Sequence, residues 1–368
     1  MRTDLLAELS NSHGTSGREA AIAAIVRREL GPDVDRIEAD PLGGLCGIRE
    51  AVPGTADPVR LMLAAHMDEI GLMVTAIEDS GFIRIIPLGG WDDRTLVSQR
   101  VVIHGRQAVP GVVGVPPVHQ LSTDARGRAP KMADLLIDTG LPGERVRELV
   151  RPGDVVTRAR AFAPLGDLLS GKALDDRVGV FVMLEAMRAA KRSPVHVLAT
   201  ATVQEEVGLR GARVAATRLY PDIGVAIDTC PSTDGPGHTT SGGTKLGGGA
   251  AIRIMDASAI GSHRLVAFLE QLAIDHDIPH QFHVSDKGGT DTQSLQLSGM
   301  GSIAGCVSIP TRYGHSSIEV CHPADVQAAI DLVVSLIEAA HSFAVGNVEP
   351  TLSSSTVATF GWTGPQPG

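Results

Sequence analysis

The chain has 368 residues, of which 43% are hydrophobic and 20% charged, so it can form one large domain or two ordinary ones with a sizeable core. A net charge of -10 and the lack of clustered Lys and Arg argue against a nucleic-acid partner. Aromatic residues, at 3%, are too few for platforms that stack bases or sugars. The four cysteines, Cys46, Cys230, Cys306 and Cys321, form no C-x-x-C pair, which predicts reduced, packed thiols.

The N-terminal stretch MRTDLLAELSNSHG has no apolar core of the kind that a signal peptide needs. No apolar run approaches the roughly 20 residues that a membrane span requires. We therefore expect a cytoplasmic protein with no membrane partner.

Helices and strands alternate along much of the chain. Ser16 and Glu19 form an S-x-x-E pattern that predicts a capping box and a helix over 16–30, ended by Gly31-Pro32. Further helices are predicted over 175–190, 262–276 and 323–343, and short apolar strands over 58–66, 195–203, 222–230 and 302–310. This alternation predicts an α/β fold, a three-layer sandwich around a mostly parallel central sheet.

The sequence pattern changes from alternating helices and strands to short apolar runs between residues 69 and 165. Short Val/Ile runs there, such as GFIRIIPLGG and PGDVVTRARAF, are broken by Gly and Pro and have no helical period. We predict a small β-rich domain over 69–165, inserted into an α/β domain made of 1–68 and 166–345. The Ser-, Thr-, Gly- and Pro-rich segment 346–368 is predicted to be a flexible tail.

Residues that can bind metal ions cluster at the predicted carboxyl ends of the strands. This group comprises His66, Asp68, Glu205, Glu206, Asp228 and His315, with Asp175 at the start of a helix that feeds the same sheet. The carboxyl ends of parallel strands line the crevice where open α/β sheets bind ligands. Each residue has a simpler explanation by itself: a structural histidine, a helix N-cap or a solvated Glu-Glu loop. Their coincidence at one edge favours a site.

The chemistry that fits this set is a dinuclear metal site. Zn²⁺ and similar ions accept imidazole nitrogen and carboxylate oxygen, and a shared carboxylate holds two ions about 3.5–4 Å apart. Such a site needs one His and one acidic ligand for each ion, and one carboxylate shared by both. Glu205 is not needed as a ligand in this count, so we predict that it is the general base. Asp68, two residues after His66, is predicted to accept the second N–H of that imidazole. Ligands of this kind suit Zn²⁺, Co²⁺ and Mn²⁺ alike, with Zn²⁺ preferred here.

Seven stretches resemble the TET-type dinuclear metallo-aminopeptidases, a family also described as glutamyl aminopeptidase-like or endoglucanase-like. In chain order they are AAHMDEIGLMV, GKALDDRVG, TVQEEVGLRGA, AIDTCPSTDGPG, TKLGGG, KGGTDT and RYGHSSIEV. The resemblance implies that Asp175 bridges two divalent ions, with His66 and Asp228 on one and Glu206 and His315 on the other. It also implies Glu205 as the general base and Asp68 as the partner of His66.

The same resemblance implies removal of N-terminal residues from peptides. It further implies a homo-oligomer, commonly a tetrahedral dodecamer, assembled through the inserted domain. Three alternatives stay open: a related dinuclear amidohydrolase such as a carboxypeptidase or deacylase, a glycoside hydrolase, and a metal-binding shell without activity. Glycoside hydrolysis needs two carboxyl groups about 5–9.5 Å apart around a sugar, and aromatic residues to stack that sugar are scarce. The segment KGGTDT either shapes the pocket for the first side chain, with Asp291 helping to hold a charged group, or is a glycine-rich turn.

Overall fold

The computed structural model describes residues 1–120, 128–236 and 243–345, so the predicted tail over 346–368 lies outside the described residues. Its α-helices are α1 (Thr3–Asn11), α2 (Ala20–Leu30), α3 (Gly143–Leu149), α4 (Leu174–Ala189), α5 (Arg210–Leu219), α6 (His263–Asp275), α7 (Thr292–Gln296) and α8 (Pro323–Val345). The strands are β1 (Arg36–Ala39), β2 (Leu45–Arg49), β3 (Val59–His66), β4 (Gly71–Ile77), β5 (Ile83–Leu88), β6 (Arg100–His104), β7 (Ala108–Gly114), β8 (Leu136–Asp138), β9 (Val155–Arg158), β10 (Ala163–Leu165), β11 (Leu168–Gly171), β12 (Val195–Thr202), β13 (Ile223–Pro231), β14 (Ala250–Met255), β15 (His280–Val284), β16 (Ile303–Arg312) and β17 (Glu319–Cys321).

The large sheet is mixed, with a parallel centre. Its strands run in the order β1-β2-β12-β3-β13-β16-β17-β11-β10, and β14 and β15 branch from β16. The neighbours β12, β3, β13 and β16 are parallel, whereas β2 and β17 pair antiparallel at the two flanks. The predicted parallel sheet is therefore its centre, and the antiparallel flanks were not anticipated.

Helices cover both faces of this sheet, which confirms the three-layer α/β sandwich. Leu61 and Leu63 of β3 point into a cluster with α1, α2, α4, α6 and α8. Met62 and Ala64 point the other way, into a smaller cluster with α5 and α7. Successive side chains of a strand face opposite sides, so a strand covered on both faces must be apolar throughout. This is why the sequence of β3 is almost wholly hydrophobic.

The second helix starts later than predicted. Ser16 and Glu19 do not form a capping box, and α2 begins only at Ala20. The Ser16 hydroxyl instead donates to the Asp68 carboxylate at 2.6 Å. The Glu19 carboxylate accepts the backbone N–H groups of Gly17 at 2.7 Å and Gln204 at 3.1 Å. Both side chains are thus committed to long-range contacts, and the helix forms without them.

A closed barrel forms the inserted segment, with strand order β4-β5-β8-β7-β6-β9. In β7 exposed and buried residues alternate strictly, as expected for a strand with one face toward a barrel interior. The interior is a separate apolar cluster that includes Ile83, Val101, Ile103 and Val156. The barrel strands run from Gly71 to Arg158, whereas β10, at the end of the predicted segment 69–165, pairs with β11 in the large sheet. The predicted boundary at residue 165 is therefore too late, because the chain returns to the large sheet at β10.

The closing helix α8 is long and apolar enough, over Pro323–Phe343, to cross a membrane by length and composition. More than half of that stretch is buried inside the protein, where it packs against α4, α6 and β16. A core helix satisfies the same length and composition criteria, and the packing of α8 is that of a core helix.

Candidate active site

The parallel centre of the sheet brings the predicted site residues to one edge. His66 is the last residue of β3, Glu205 and Glu206 follow β12, Asp228 lies near the end of β13, and His315 follows β16. Asp175 comes from the first turn of α4, where the backbones of Asp175 and Asp176 are not helical. These residues surround one cavity of about 570 Å³, which His66, Asp175, Glu205, Glu206, Asp228 and His315 all line.

Asp175 lies between the two histidines. Its Oδ1 is 3.3 Å from Nε2 of His66, and its Oδ2 is 3.5 Å from Nε2 of His315. Glu206 Oε1 lies 3.4 Å from the same nitrogen of His315. One carboxylate therefore faces an imidazole with each of its oxygens, which is the placement that a ligand shared between two ions needs.

Two groups of side chains have ligand atoms close enough to hold a cation. The first is His66, Asp175 and Glu206, and the second is His66, Asp176 and Asp228, with all ligand atoms in a group within 4.8 Å of one another. Asp176 is not among the predicted ligands, because the resemblance assigns the metal role to Asp175, and an Asp before a helix is otherwise most often an N-cap. Its Oδ1 does accept the N–H of Gly179 at 3.0 Å, while Oδ2 accepts the N–H of His66 at 3.2 Å. The Asp-Asp pair gave no signal to separate these roles.

Asp68 is buried beside His66, but its carboxylate does more than the sequence predicted. Nδ1 of His66 lies 3.0 Å from the backbone carbonyl of Asp68 and 3.6 Å from the carboxylate Oδ1. The carboxylate itself accepts the backbone N–H of Glu205 at 3.0 Å and that of Glu206 at 3.2 Å. Asp68 therefore contacts the imidazole mainly through its carbonyl and fixes the Glu-Glu turn through its side chain.

The barrel also contributes to the site. The carbonyl of Gly90, in the loop after β5, lies 2.8 Å from Nδ1 of His315, so it sets the orientation of that ring. Gly89 has a φ of +87°, and a Cβ there would come within 3.2 Å of Glu206 Oε2. The loop can approach the site this closely because residue 89 has no side chain.

Negative charge accumulates in the cavity. Burial raises the pKa of Glu206 to about 8 and, with the charge of Asp175, raises the pKa of Asp228 to about 7. Burial also holds the pKa of Glu205 well above its usual range, and the charges of Asp228 and Glu206 add to the effect. Burial would lower the pKa of His315, but its bond to Asp175 and the charge of Glu206 raise it to about 10. Burial is the main cause of the three raised carboxyl pKa values, and neighbouring carboxylates add to it.

The residues present fit divalent cations. Within the described chain, no lysine or arginine forms an ion pair with Asp175, Asp176, Glu206 or Asp228. Glu206 Oε1 is buried and has no hydrogen-bond partner in the described part of the chain. Buried carboxylates are normally paired with a cation or coordinate a metal. Imidazole and carboxylate donors, in turn, are the ligands of Zn²⁺ and similar ions.

The model of the M42 glutamyl aminopeptidase family matches residues 47–332. The chain belongs to this family. The resemblance inferred from the seven sequence motifs is thereby confirmed. Membership of this family makes the chain a peptidase, that is, a hydrolase of peptide bonds.

Individual relatives match over nearly the whole chain. A putative aminopeptidase of Acetivibrio thermocellus is 35% identical over 336 residues, which cover 91% of this chain and 98% of that protein. The solved aminopeptidase APDkam598 of Desulfurococcus kamchatkensis superposes with a TM-score of 0.87 at 38% identity, covering 91% and 94% of the two chains. The TET1 peptidase of Pyrococcus horikoshii, described as assembling into a tetrahedron or a large octahedral shell, has a TM-score of 0.82 at 33% identity, covering 91% and 99%.

Proposed function

We propose that the protein is a metal-dependent aminopeptidase with two divalent ions in each chain. Asp175 would be shared by both ions, with His66 and Asp228 on one ion and Glu206 and His315 on the other. The single observation that carries this proposal is the placement of Asp175, with one oxygen toward each histidine. Asp176, which groups with His66 and Asp228, either is a further ligand or positions His66 by accepting its backbone N–H.

When bound, the two ions supply Lewis-acid activation of a water molecule and of the scissile carbonyl. Glu205 then acts as the proton carrier of the protein. Its Oε2 lies 3.9 Å from Nε2 of His66, and the side chain lines the cavity beside the proposed ligands. Glu205 accepts the proton of the attacking water on its carboxylate and returns it to the departing amine. Asp68 keeps Glu205 in place through the bond to its N–H.

The choice of aminopeptidase over the rival hydrolases rests on family membership and on the site. A carboxypeptidase or deacylase could use the same ligands. These enzymes are distinguished from an aminopeptidase by whether the substrate must have a free N-terminal amine. Glycoside hydrolysis is disfavoured because, among the described residues, the cavity lining contains no Phe, Tyr or Trp side chain to stack a sugar ring. A metal-binding shell without activity would have no use for Glu205 as a proton carrier in the cavity.

We further propose a homo-oligomer assembled through the barrel, with a tetrahedral dodecamer as one candidate form. Support comes from the assemblies described for the relative TET1 peptidase. Zn²⁺ is the proposed native ion, and Co²⁺ and Mn²⁺ are alternatives with compatible ligand chemistry. Peptides with a free N-terminus are the proposed substrates, and the cytoplasm is the proposed compartment.

An activity screen tests the proposal. Protein treated with a chelator is given Zn²⁺, Co²⁺ or Mn²⁺ and assayed on a panel of aminoacyl anilides and on matched N-acyl amino acids. Hydrolysis of the anilides, lost on chelation and restored by at least one ion, supports the aminopeptidase. Exclusive cleavage of N-acyl amino acids would support the amidohydrolase instead, and chelator-insensitive release of reducing sugar would support the glycoside hydrolase.

A further inference from the structure

Glu319 is a buried carboxylate behind the candidate site. It begins β17, a three-residue strand that pairs antiparallel with both β11 and β16. The residue is 1% exposed and does not line the cavity. It therefore cannot touch a substrate, and its charge needs an internal explanation.

Both carboxylate oxygens of Glu319 bind the backbone of proposed metal ligands. Oε1 accepts the N–H of His315 at 2.8 Å, and Oε2 accepts the N–H of Asp175 at 3.0 Å. These two ligands come from distant parts of the chain, the loop after β16 and the start of α4. A single buried side chain thus joins their backbones directly.

Neither ligand lies in regular secondary structure that would place it. His315 has a φ of +60°, in the left-handed region, and Asp175 has non-helical angles although it falls within the first turn of α4. Positive φ at a residue with a side chain persists only where the surroundings hold it. The ring of His315 is oriented by the Gly90 carbonyl, so Glu319 and Gly90 act on different atoms of the same ligand.

We propose that Glu319 is a positioning residue that sets the separation of Asp175 and His315. It thereby sets the affinity for the ion that His315 and Glu206 would hold. The inference rests on the proposed function, because it assumes that Asp175 and His315 bind metal. Outer hydrogen-bond partners of ligands commonly change metal affinity by about 10–100-fold when removed.

The test uses Glu319→Gln. The amide has nearly the same shape but only one acceptor oxygen, so one of the two N–H groups loses its partner. A matched control is available in Asp325, whose carboxylate is fully buried and accepts the N–H groups of Gly249 at 2.7 Å and Gly247 at 2.8 Å, away from the cavity lining. Asp325→Asn imposes the same loss on an equivalent carboxylate without touching a proposed ligand.

The measurement is the number of Zn²⁺ ions retained per chain as the concentration of a competing chelator rises, with the melting temperature recorded in parallel. Glu319→Gln should release one ion at a chelator concentration at least tenfold lower than wild type requires, while Asp325→Asn should follow the wild-type curve. If Glu319→Gln does not fold, Glu319→Asp, which keeps the charge but is one methylene shorter, should show the same early release.

Two outcomes would overturn the inference. In the first, the Glu319 variants keep both ions up to the chelator concentration that wild type withstands. In the second, Asp325→Asn releases an ion at a chelator concentration as low as Glu319→Gln does. The second result would mean that general loss of stability, and not the position of Glu319, governs metal retention. Wild-type protein that binds no Zn²⁺ at all would contradict the proposed function itself, and the inference would fall with it.

Discussion

The carboxylate of Asp68 accepts the backbone N–H of Glu205 at 3.0 Å. This bond links the end of β3 to the turn after β12, and the same carboxylate also holds the N–H of Glu206. We predict that Asp68→Asn keeps the fold but lowers kcat about 10–100-fold, because the amide offers one acceptor oxygen where the carboxylate offers two. Steady-state kinetics with metal-loaded protein measure the change, and an unchanged kcat would show that catalysis does not depend on the Asp68 carboxylate.

Glu205 is predicted to carry the proton. Glu205→Gln preserves the size of the side chain but removes its basicity, so turnover should fall about 10²–10⁴-fold while the bound ions stay in place. The two readouts are kcat and the metal content of the same preparation. A variant with near-normal turnover would refute the role, and one that loses its metal would make Glu205 a ligand.

Asp175 is predicted to serve both ions. Asp175→Ala should lose metal at both positions, since each oxygen faces a different histidine. Asp4→Ala is the control for a carboxylate in the first turn of a helix, because Asp4 lies in the first turn of α1 and lines no part of the cavity. Elemental analysis after dialysis gives the stoichiometry. Two ions retained by Asp175→Ala would exclude a shared ligand.

Gly89 is predicted to be needed for the approach of the barrel loop to Glu206. In Gly89→Ala the new Cβ meets Ile70 Cγ2 at 2.6 Å and Glu206 Oε2 at 3.2 Å, so both metal retention and turnover should decrease. Gly140→Ala is the matched control, because Gly140 also has positive φ, +69°, but nothing lies within 4 Å of its Cβ position. Both variants carry a backbone penalty of about 1–2 kcal/mol. Equal metal retention in the two variants would contradict the prediction.

His13 is predicted to make the protein sensitive to mild acid. Burial, together with the charge of Lys172, lowers the pKa of His13 to about 4, and its Nδ1 lies 2.6 Å from the Thr157 hydroxyl. Between pH 6.5 and 4 the unfolded chain binds the proton and the folded chain does not, so His13 costs stability as the pH falls through this window. The melting temperature of wild type should therefore fall more steeply there than that of His13→Asn. Parallel curves would contradict this.

The sequence was most informative where local pattern and position coincide. His66, Glu205 and Asp228 could be found because each ends or follows an apolar run, and parallel strands end at one edge. The barrel could be recognised from its broken Val/Ile runs, although its closure could not. In both cases the signal lies within a few consecutive residues.

What sequence reasoning missed depends on contacts between distant segments. Ser16 and Glu19 match a capping box, yet both bind residues far along the chain, so local preference lost to tertiary contacts. Asp176 resembles an N-cap until the N–H of His66 is seen beside it. Glu319 lies in the motif RYGHSSIEV, but a strand of three residues gives no signal that its carboxylate binds the backbone of His315 and Asp175.

Peptide hydrolysis by this protein is proposed to require two ions in the site. The most direct measurement titrates Zn²⁺ into chelator-treated protein and follows both bound metal and the initial rate on an aminoacyl anilide. We expect no hydrolysis without metal and a rate that reaches its plateau at two ions per chain. Full activity in metal-free protein, or a plateau at one ion per chain, would contradict it.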